Sequence, residues 1–310
     1  MRKALLLYNP TSGRRPKRRI ADVEAVVNVL QQAGVEVKAS VTGSAIKTVE
    51  QSRRAIAEGC DTIIACGGDG TVHDVLQALV GTQAALGVIP LGTANALAHD
   101  LRIPLAAVPA ARSLLTSRPQ RLAAGKIAYR SFCNEDSSRY FTVTAGVGVD
   151  AHLFYKLNVL IKGRFGMLAY YMKATRLWLT HDMPKFGASI LTPDEKIRST
   201  DLSQLLAVRI TQFGGILREL APGAALTSND LRLVLFKTQN RMFYLAYILR
   251  GLLGQNWKVS GIEFADTKQV SCRLLSDPDP RIYVEADGEL LGTLPAEITI
   301  VPDAFTLLVP

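Results

Sequence analysis

Three glycine-bearing loops near the start of the chain carry residue types suited to holding a phosphate: Asn9-Pro10-Thr11-Ser12-Gly13, Gly67-Gly68-Asp69-Gly70-Thr71 and Pro90-Leu91-Gly92-Thr93-Ala94-Asn95. Glycine and small polar residues let successive backbone N–H groups converge on an anion, and a helix that follows adds the positive end of its dipole. The middle loop is the most informative. Its three glycines permit positive φ and close backbone approach. Asp69, set among them, can reach a Mg²⁺ ion or a hydroxyl, and Thr71 is placed to cap the next helix and face a phosphate. A tight turn with a capping threonine explains the glycines but not an acid between them. Gly92 permits a sharp bend in the third loop, where Thr93 and Asn95 offer polar contacts. Arg14, Arg15, Lys17, Arg18 and Arg19 follow the first loop. They read either as a phosphate-attracting group or as a solvated helix face. Far along the chain, Asp287-Gly288-Glu289 places two acids around a glycine. Asp-Gly is a strong hairpin signal, and a turn can also carry catalytic acids.

All three early loops follow short apolar runs. Lys3–Tyr8, Val35–Thr42, Thr62–Cys66 and Leu86–Ile89 read as strands. Between them, Ile20, Val23, Val26, Val27 and Leu30 recur at helical spacing, with Gly34 to close the helix, and a second helix runs from about Lys47 to Glu58 and stops at Gly59. Val72, Val75, Leu76 and Leu79 give a third helical face. This β-α-β-α order predicts a parallel sheet covered on both faces. Ligands of such sheets bind beyond the carboxyl ends of the strands, which is where the loops fall. After about residue 125 the texture changes. Tyr140–Ala145, Leu205–Thr211, Leu231–Phe236, Val270–Leu275 and Ile282–Ala286 read as short strands of an antiparallel sandwich or barrel. Helical segments interrupt them at about 163–180 and 242–254.

The chain has 310 residues, 48% hydrophobic and 20% charged, which predicts a folded globular protein of about two domains. A net charge of +9 favours anionic partners such as phosphates or acidic membranes. No basic cluster accompanies a nucleic-acid-binding motif, so nucleic acid is not an expected partner. Cys60, Cys66, Cys133 and Cys272 stand apart, without zinc spacing, as expected of a reducing cytoplasm. The opening MRKALLLYNP has an apolar run too short for a signal peptide, and no apolar stretch is long enough for a membrane span.

Taken together, these loops and their separations resemble the diacylglycerol kinase catalytic family, which includes sphingosine kinases, ceramide kinases and bacterial soluble lipid kinases. Further similarity lies in Gly146-Val147-Gly148-Val149-Asp150, Gly166-Met167-Leu168-Ala169-Tyr170 and Asp287-Gly288-Glu289. The resemblance implies an N-terminal doubly wound α/β nucleotide domain, NAD kinase-like, over 1–125. It implies a C-terminal antiparallel β-sandwich, lipid-binding, over 126–302, with the active site in the cleft between them. Residues 303–310, including Phe305–Val309, are expected to return to the first domain. By resemblance, Asn9, Pro10, Thr11, Ser12 and Gly13 contact ATP, with Thr42 alongside. Gly67, Gly68, Gly70, Thr71, Val72, His73 and Asp74 hold its phosphates with Mg²⁺, and Thr93 and Asn95 complete the nucleotide site. The catalytic acids are Asp69, Asp287 and Glu289. Asp69 is also the candidate metal ligand, and whether the base is Asp69 or the late pair stays open. Asp150 matches a contact to the acceptor lipid head, and a helix N-cap is its equally plain alternative.

Two departures from the family pattern stand out. Ala96 replaces an Asp that many members carry, as in the Asn-Ala-Leu-Ala run of sphingosine and ceramide kinases. The stretch Pro222–Asp230 retains one acid of an Asp-rich turn that binds structural Mg²⁺ in bacterial relatives, so that metal site is not carried over. The implied activity is ATP-dependent phosphorylation of a lipid hydroxyl, diacylglycerol first, with a sphingoid or long-chain alcohol as alternative. A non-catalytic nucleotide or lipid sensor, or a kinase of a soluble acceptor, competes with it. The expected partners are a lipid substrate and an anionic membrane surface met peripherally from the cytoplasm, and a homodimer is allowed for. Both interrupting helices could face lipid, although core-facing amphipathic helices are the commoner case.

Overall fold

The computed structural model describes residues 1–10, 18–149, 183–213, 220–255, 257–275 and 281–310. Thr11, Ser12, Gly13, Asp150 and the helix expected over 163–180 lie outside the described residues. Two compact units emerge. The first holds Met1–Ala124, Val301–Pro310 and a short insert starting at Gln212, and the second holds Gly125–Thr211 and Arg218–Ile300.

The first unit is the expected α/β layer structure. Its strands are β1 (Lys3–Tyr8), β2 (Glu36–Val41), β3 (Thr62–Gly67) and β4 (Ala85–Pro90). All pair in parallel, in the order β2-β1-β3-β4, with Leu6 beside both Ala39 and Ile64. Every residue of β3 and β4 is buried, the signature of central strands covered on both faces. The final strand, β15 (Glu289–Val309), ends in this unit, where Thr306 and Leu307 pair with Ala85 and Leu86 of β4. Helices α1 (Arg19–Gln32) and α5 (Ala107–Thr116) pack together, as do α2 (Ala45–Ala57) and α3 (Asp69–Leu79). A single turn, α4 (Ala96–Asp100), follows the third loop. In α2 the buried Thr48 and Ser52 hydroxyls donate to the carbonyls of Ser44 and Thr48, so neither polar group is orphaned in the core.

The second unit is a β-sandwich. One set of strands runs β12 (Ile262–Thr267), β11 (Leu231–Phe236), β10 (Gln204–Val208), β7 (Thr144–Gly148) and β14 (Tyr283–Ala286), all antiparallel. A second set runs β13 (Gln269–Arg273), β8 (Phe186–Leu191) and β9 (Ile197–Leu202). Strand β15 joins them, pairing first with β14 and then with β13. A hairpin of β5 (Arg118–Ser131) and β6 (Asp136–Phe141) completes the unit. Phe141, Phe186, Leu205, Leu233, Val270 and Ile298 lie in its core. Helix α6 (Arg241–Leu253) occupies the expected position of the second interrupting helix.

Two sequence expectations need correction. The run Tyr140–Ala145 is not one strand: β6 ends at Phe141 and β7 begins at Thr144. The corner forms because the backbone amides of Thr142, Val143 and Thr144 turn to the Asp287 carboxylate. Thr71 is not the cap of α3. The helix starts at Asp69 with Gly68 as its N-cap, which puts Thr71 in the first turn, where it is buried. Strand β9 has no apolar run to mark it: its sequence, IRSTDL, is largely polar and mostly exposed, and pairing with β8 determines it.

A charge cluster on the second unit gives a pH prediction. Glu263 on β12 accepts both terminal nitrogens of Arg198 and pairs with Lys237. The Arg198 hydrogen bonds, with help from Lys237, hold its carboxyl down at about 2 against an ordinary 4.5. A depressed carboxyl stabilises the fold above its unfolded pKa and loses that contribution as pH falls through its folded one. Stability is therefore expected to decline between about pH 4.5 and about pH 2. Urea midpoints of wild type and Glu263→Gln across that window check this, and the wild type should show the steeper decline.

Candidate active site

The strand order decides where a ligand binds in the first unit. The chain winds outward one way from β1 to β2 and the other way from β3 to β4. The sheet thus reverses direction between β1 and β3. In open parallel sheets the ligand crevice lies at such a switch point, beyond the carboxyl ends of the strands. Asn9 and Pro10 leave β1 at that point, and Gly67, Gly68 and Asp69 leave β3. Thr42, leaving β2, stands beside them, its amide and hydroxyl both donating to the Tyr8 carbonyl at 2.8 and 3.3 Å.

The second and third loops form one assembly. Asp69 is its centre: one carboxylate oxygen accepts the Asn95 amide at 2.8 Å and the other accepts the Ala96 amide at 2.7 Å. Asp69 therefore caps α4 from outside that helix, where the amides would otherwise lack acceptors. Asn95 adopts the left-handed conformation, with φ 52°, and its side chain bridges both backbone groups of Gly92. The Leu91 amide donates to the Gly67 carbonyl at 2.8 Å. Between the loops the backbones touch: a Cβ on Gly92 would stand 2.3 Å from the Gly68 Cα and 2.6 Å from the Asn95 Oδ1. The crevice they line with Val88 and Leu97 is too narrow for a water molecule. Gly92→Ala is accordingly expected to force these loops apart, costing about 2 kcal/mol of stability and at least about tenfold in nucleotide affinity. Thermal melts and calorimetric titration with a nucleotide check both.

Sequence reasoning passed over one contributor here. Arg19 was one of five basic residues after the first loop, yet it is buried and its guanidinium donates to the Leu91 carbonyl at 2.7 Å. It thereby ties the start of α1 to the third loop. No sequence feature separates Arg19 from its basic neighbours. The other predicted nucleotide contacts divide. Gly70, Thr71, Val72, His73 and Asp74 lie in the first turns of α3, with Thr71, Val72 and His73 buried in the unit. Thr93 is exposed at the tip of the third loop. Cys66, at the end of β3, is buried so deeply that its thiol is pushed up to about 12, which makes it unreactive at neutral pH.

The second unit carries the late acidic pair on a two-residue hairpin between β14 and β15. Asp287 and Gly288 have φ of 48° and 81°, as a type I′ turn requires, which explains the Asp-Gly pair. Asp287 is buried and turns inward. Its carboxylate accepts the consecutive amides of Thr142, Val143 and Thr144 at 3.1, 2.9 and 3.1 Å, and its own amide donates to the Thr144 carbonyl. Three successive amides form an anion nest, here filled by the protein's own carboxylate. Glu289, by contrast, is exposed. Glu285, fully buried, braces the turn from below by accepting the Gly288 amide at 2.9 Å. Gly146 across the sheet makes room for it, since a Cβ there would stand 2.7 Å from the Glu285 Oε1. Arg209 is also fully buried, donating to the carbonyls of Leu226 and Ser228. Burial pulls its guanidinium down to about 10, with the nearby Asp287 charge working the other way. It remains a cation at neutral pH. Glu285 and Arg209 interrupt apolar strand runs, and a charge in such a run is the signal that marks them.

Among the described residues, no group of three or more His, Cys, Asp or Glu is placed to hold a metal. Nor is any described helix long and apolar enough to cross a membrane.

Comparison with known proteins gives the same two-part layout. The diacylglycerol kinase catalytic domain matches residues 3–127, and the YegS C-terminal NAD kinase beta sandwich-like domain matches residues 143–309. A diacylglycerol kinase of Bacillus subtilis (strain 168) is 27% identical over 96% of this chain and 93% of its own length. One from Staphylococcus aureus (strain bovine RF122 / ET3-1) is 27% identical over 95% and 88%. A crystal structure of a diacylglycerol kinase from Bacillus anthracis str. Sterne shares the fold, with a TM-score of 0.71 at 18% identity over 100% of this chain and 97% of that one. Yeast NADH kinase has a TM-score of 0.50 at 12% identity, covering 100% of this chain and 84% of that one. Kinase-type phosphotransfer is the chemistry these matches have in common. Because the second match alone spans more than half of the residues and the first covers most of the rest, the chain belongs to the diacylglycerol kinase catalytic-domain family of bacterial lipid kinases.

Proposed function

We propose that this protein transfers the γ-phosphate of ATP to a lipid hydroxyl, with diacylglycerol as the preferred acceptor, at the cytoplasmic face of a membrane. The observation that carries the reading is the switch point between β1 and β3, where the Asn9 and Gly67–Asp69 loops leave the sheet. In this reading the amides of these loops take the nucleotide phosphates, with Thr42, Thr93 and Asn95 beside them. Phosphoryl transfer needs positioning, charge neutralisation and a carboxylate near the acceptor hydroxyl. Mg²⁺ ordinarily binds through phosphates and one or two carboxylates rather than an all-protein cage. Each Asp69 oxygen accepts one amide of the third loop and keeps a further lone pair, so Asp69 stays the candidate ligand for an ion that comes in with the nucleotide.

The acids then divide their work. Asp69 and Asp287 hold loops in place through backbone amides, and Glu289, the exposed member of the hairpin, accepts the acceptor's proton. Asp150 stays a candidate contact to the lipid head. Radiolabelled ATP offered with diacylglycerol, a sphingoid base and total lipid extract tests the reading. Label is expected first in diacylglycerol. Label in the sphingoid base alone would move the acceptor, and no label in any lipid, with nucleotide bound, would remove the kinase. Glu289→Gln is expected to melt like the wild type yet lose at least about a hundredfold in transfer rate, the usual scale for a general base.

A further inference from the structure

Helix α6 is turned the wrong way round for a helix that serves only its own core. Its inward face is the more polar one. The Tyr244 hydroxyl meets the Ser203 hydroxyl at 2.7 Å, and the Tyr247 hydroxyl donates to the Leu220 carbonyl at 2.7 Å. Both rings pack on Phe236, at 4.6 and 5.0 Å between centroids, and the buried Arg250 lies over Phe264 at 4.9 Å. These hydrogen bonds fix the rotation of the helix about its axis. The face left outside carries Met242, Leu245, Ile248, Leu249 and Leu253, which are 64, 46, 40, 46 and 56% exposed. Spacings of three and four residues place them on one stripe. An aliphatic stripe held in water by a polar anchor is the reverse of ordinary amphipathic packing, and such patches mark contact surfaces.

Charge and aromatic content select the partner. From Leu231 to Ile262 the chain has no Asp or Glu. Arg241 opens the helix, and the exposed Trp257 and Lys258 follow its end. Apolar side chains bordered by cations, with a tryptophan at the margin, suit an anionic bilayer surface. A second copy docked symmetrically here would set this acid-free stretch against itself. We propose that the outer face of α6 is a docking surface for anionic membranes, seated at the headgroup level. The choice of a bilayer rests also on the lipid-acceptor reading above.

The test uses the full chain, without ATP, floated with vesicles of phosphatidylcholine alone or mixed with phosphatidylglycerol. Binding is expected to the mixed vesicles. Combining Leu245→Gln, Leu249→Gln and Leu253→Gln is expected to lower that partitioning at least about tenfold with little change in melting temperature, since these side chains are 46, 46 and 56% exposed. Wild type that fails to bind the mixed vesicles, or a variant that binds as well as wild type, overturns the proposal. So does a wild-type dimer in sedimentation that the variant abolishes. Activity on a short-chain, water-soluble diacylglycerol keeps the two readings apart. A variant that phosphorylates it at the wild-type rate shows a surface defect alone, whereas vesicle binding without transfer to any acceptor would retain the surface and discard the kinase.

Discussion

Asp287→Asn is expected to lower the melting temperature of the protein by roughly 6–12 °C, the shift that about 3 kcal/mol produces in a domain of this size. The carboxylate accepts three consecutive backbone amides from inside the fold, with the fully buried Arg209 within its field. An asparagine has the same shape but replaces one acceptor oxygen by an NH₂ group. That group would point N–H at N–H, and at least one amide at 142–144 would lose its partner. The Arg209 cation would lose its counter-charge as well. Leaving a buried charge uncompensated is among the costliest single changes a fold can suffer. The β6–β7 corner and the hairpin bearing Glu289 would loosen together, so transfer should vanish along with stability. Differential scanning calorimetry paired with the label assay reads both. An Asp287→Asn protein that melts with the wild type but is inactive would instead make Asp287 the proton acceptor and demote Glu289.

Asp69→Asn is expected to cut transfer at least about a hundredfold while costing about 1–3 kcal/mol of stability. The reasoning differs from that for a base. Both Asp69 oxygens accept amides of the third loop, and asparagine can satisfy only one of them. Asn95 is held in the left-handed conformation partly by this clasp, and its side chain in turn holds Gly92 against Gly68. Releasing it should disorder the floor on which the phosphates are proposed to sit. Nucleotide affinity and turnover should therefore fall together. A proton acceptor or metal-free base would behave otherwise, losing turnover with nucleotide affinity intact. Calorimetric titration of nucleotide beside steady-state kinetics distinguishes the two, and an unchanged affinity would refute the clasp.

Much of the first unit was written in local pattern. The apolar runs at Lys3–Tyr8 and Thr62–Cys66 become central strands, buried over Ala4–Leu7 and throughout β3, and the glycines after β3 end up where the sheet changes direction. Such features are legible because burial on both faces demands unbroken apolar runs, and tight exits demand glycine. The Asp287-Gly288 turn was legible for the same reason, since only a few residue types tolerate its dihedral angles. What each acid does was not. Asp69, Asp287 and Glu289 look alike in the sequence, and their roles separate only through partners distant along the chain. Asp69 meets Asn95 and Ala96, and Asp287 meets residues 142–144. Arg19 stands out from its basic neighbours only because the fold buries it against Leu91. The outward turn of α6 belongs to the same class. Both of its faces carry apolar residues, and the hydroxyls of Tyr244 and Tyr247, by finding Ser203 and Leu220, determine which side is left for solvent. Local chemistry sets which elements can form; the long-range pairing of buried polar groups settles which side chains the fold itself consumes.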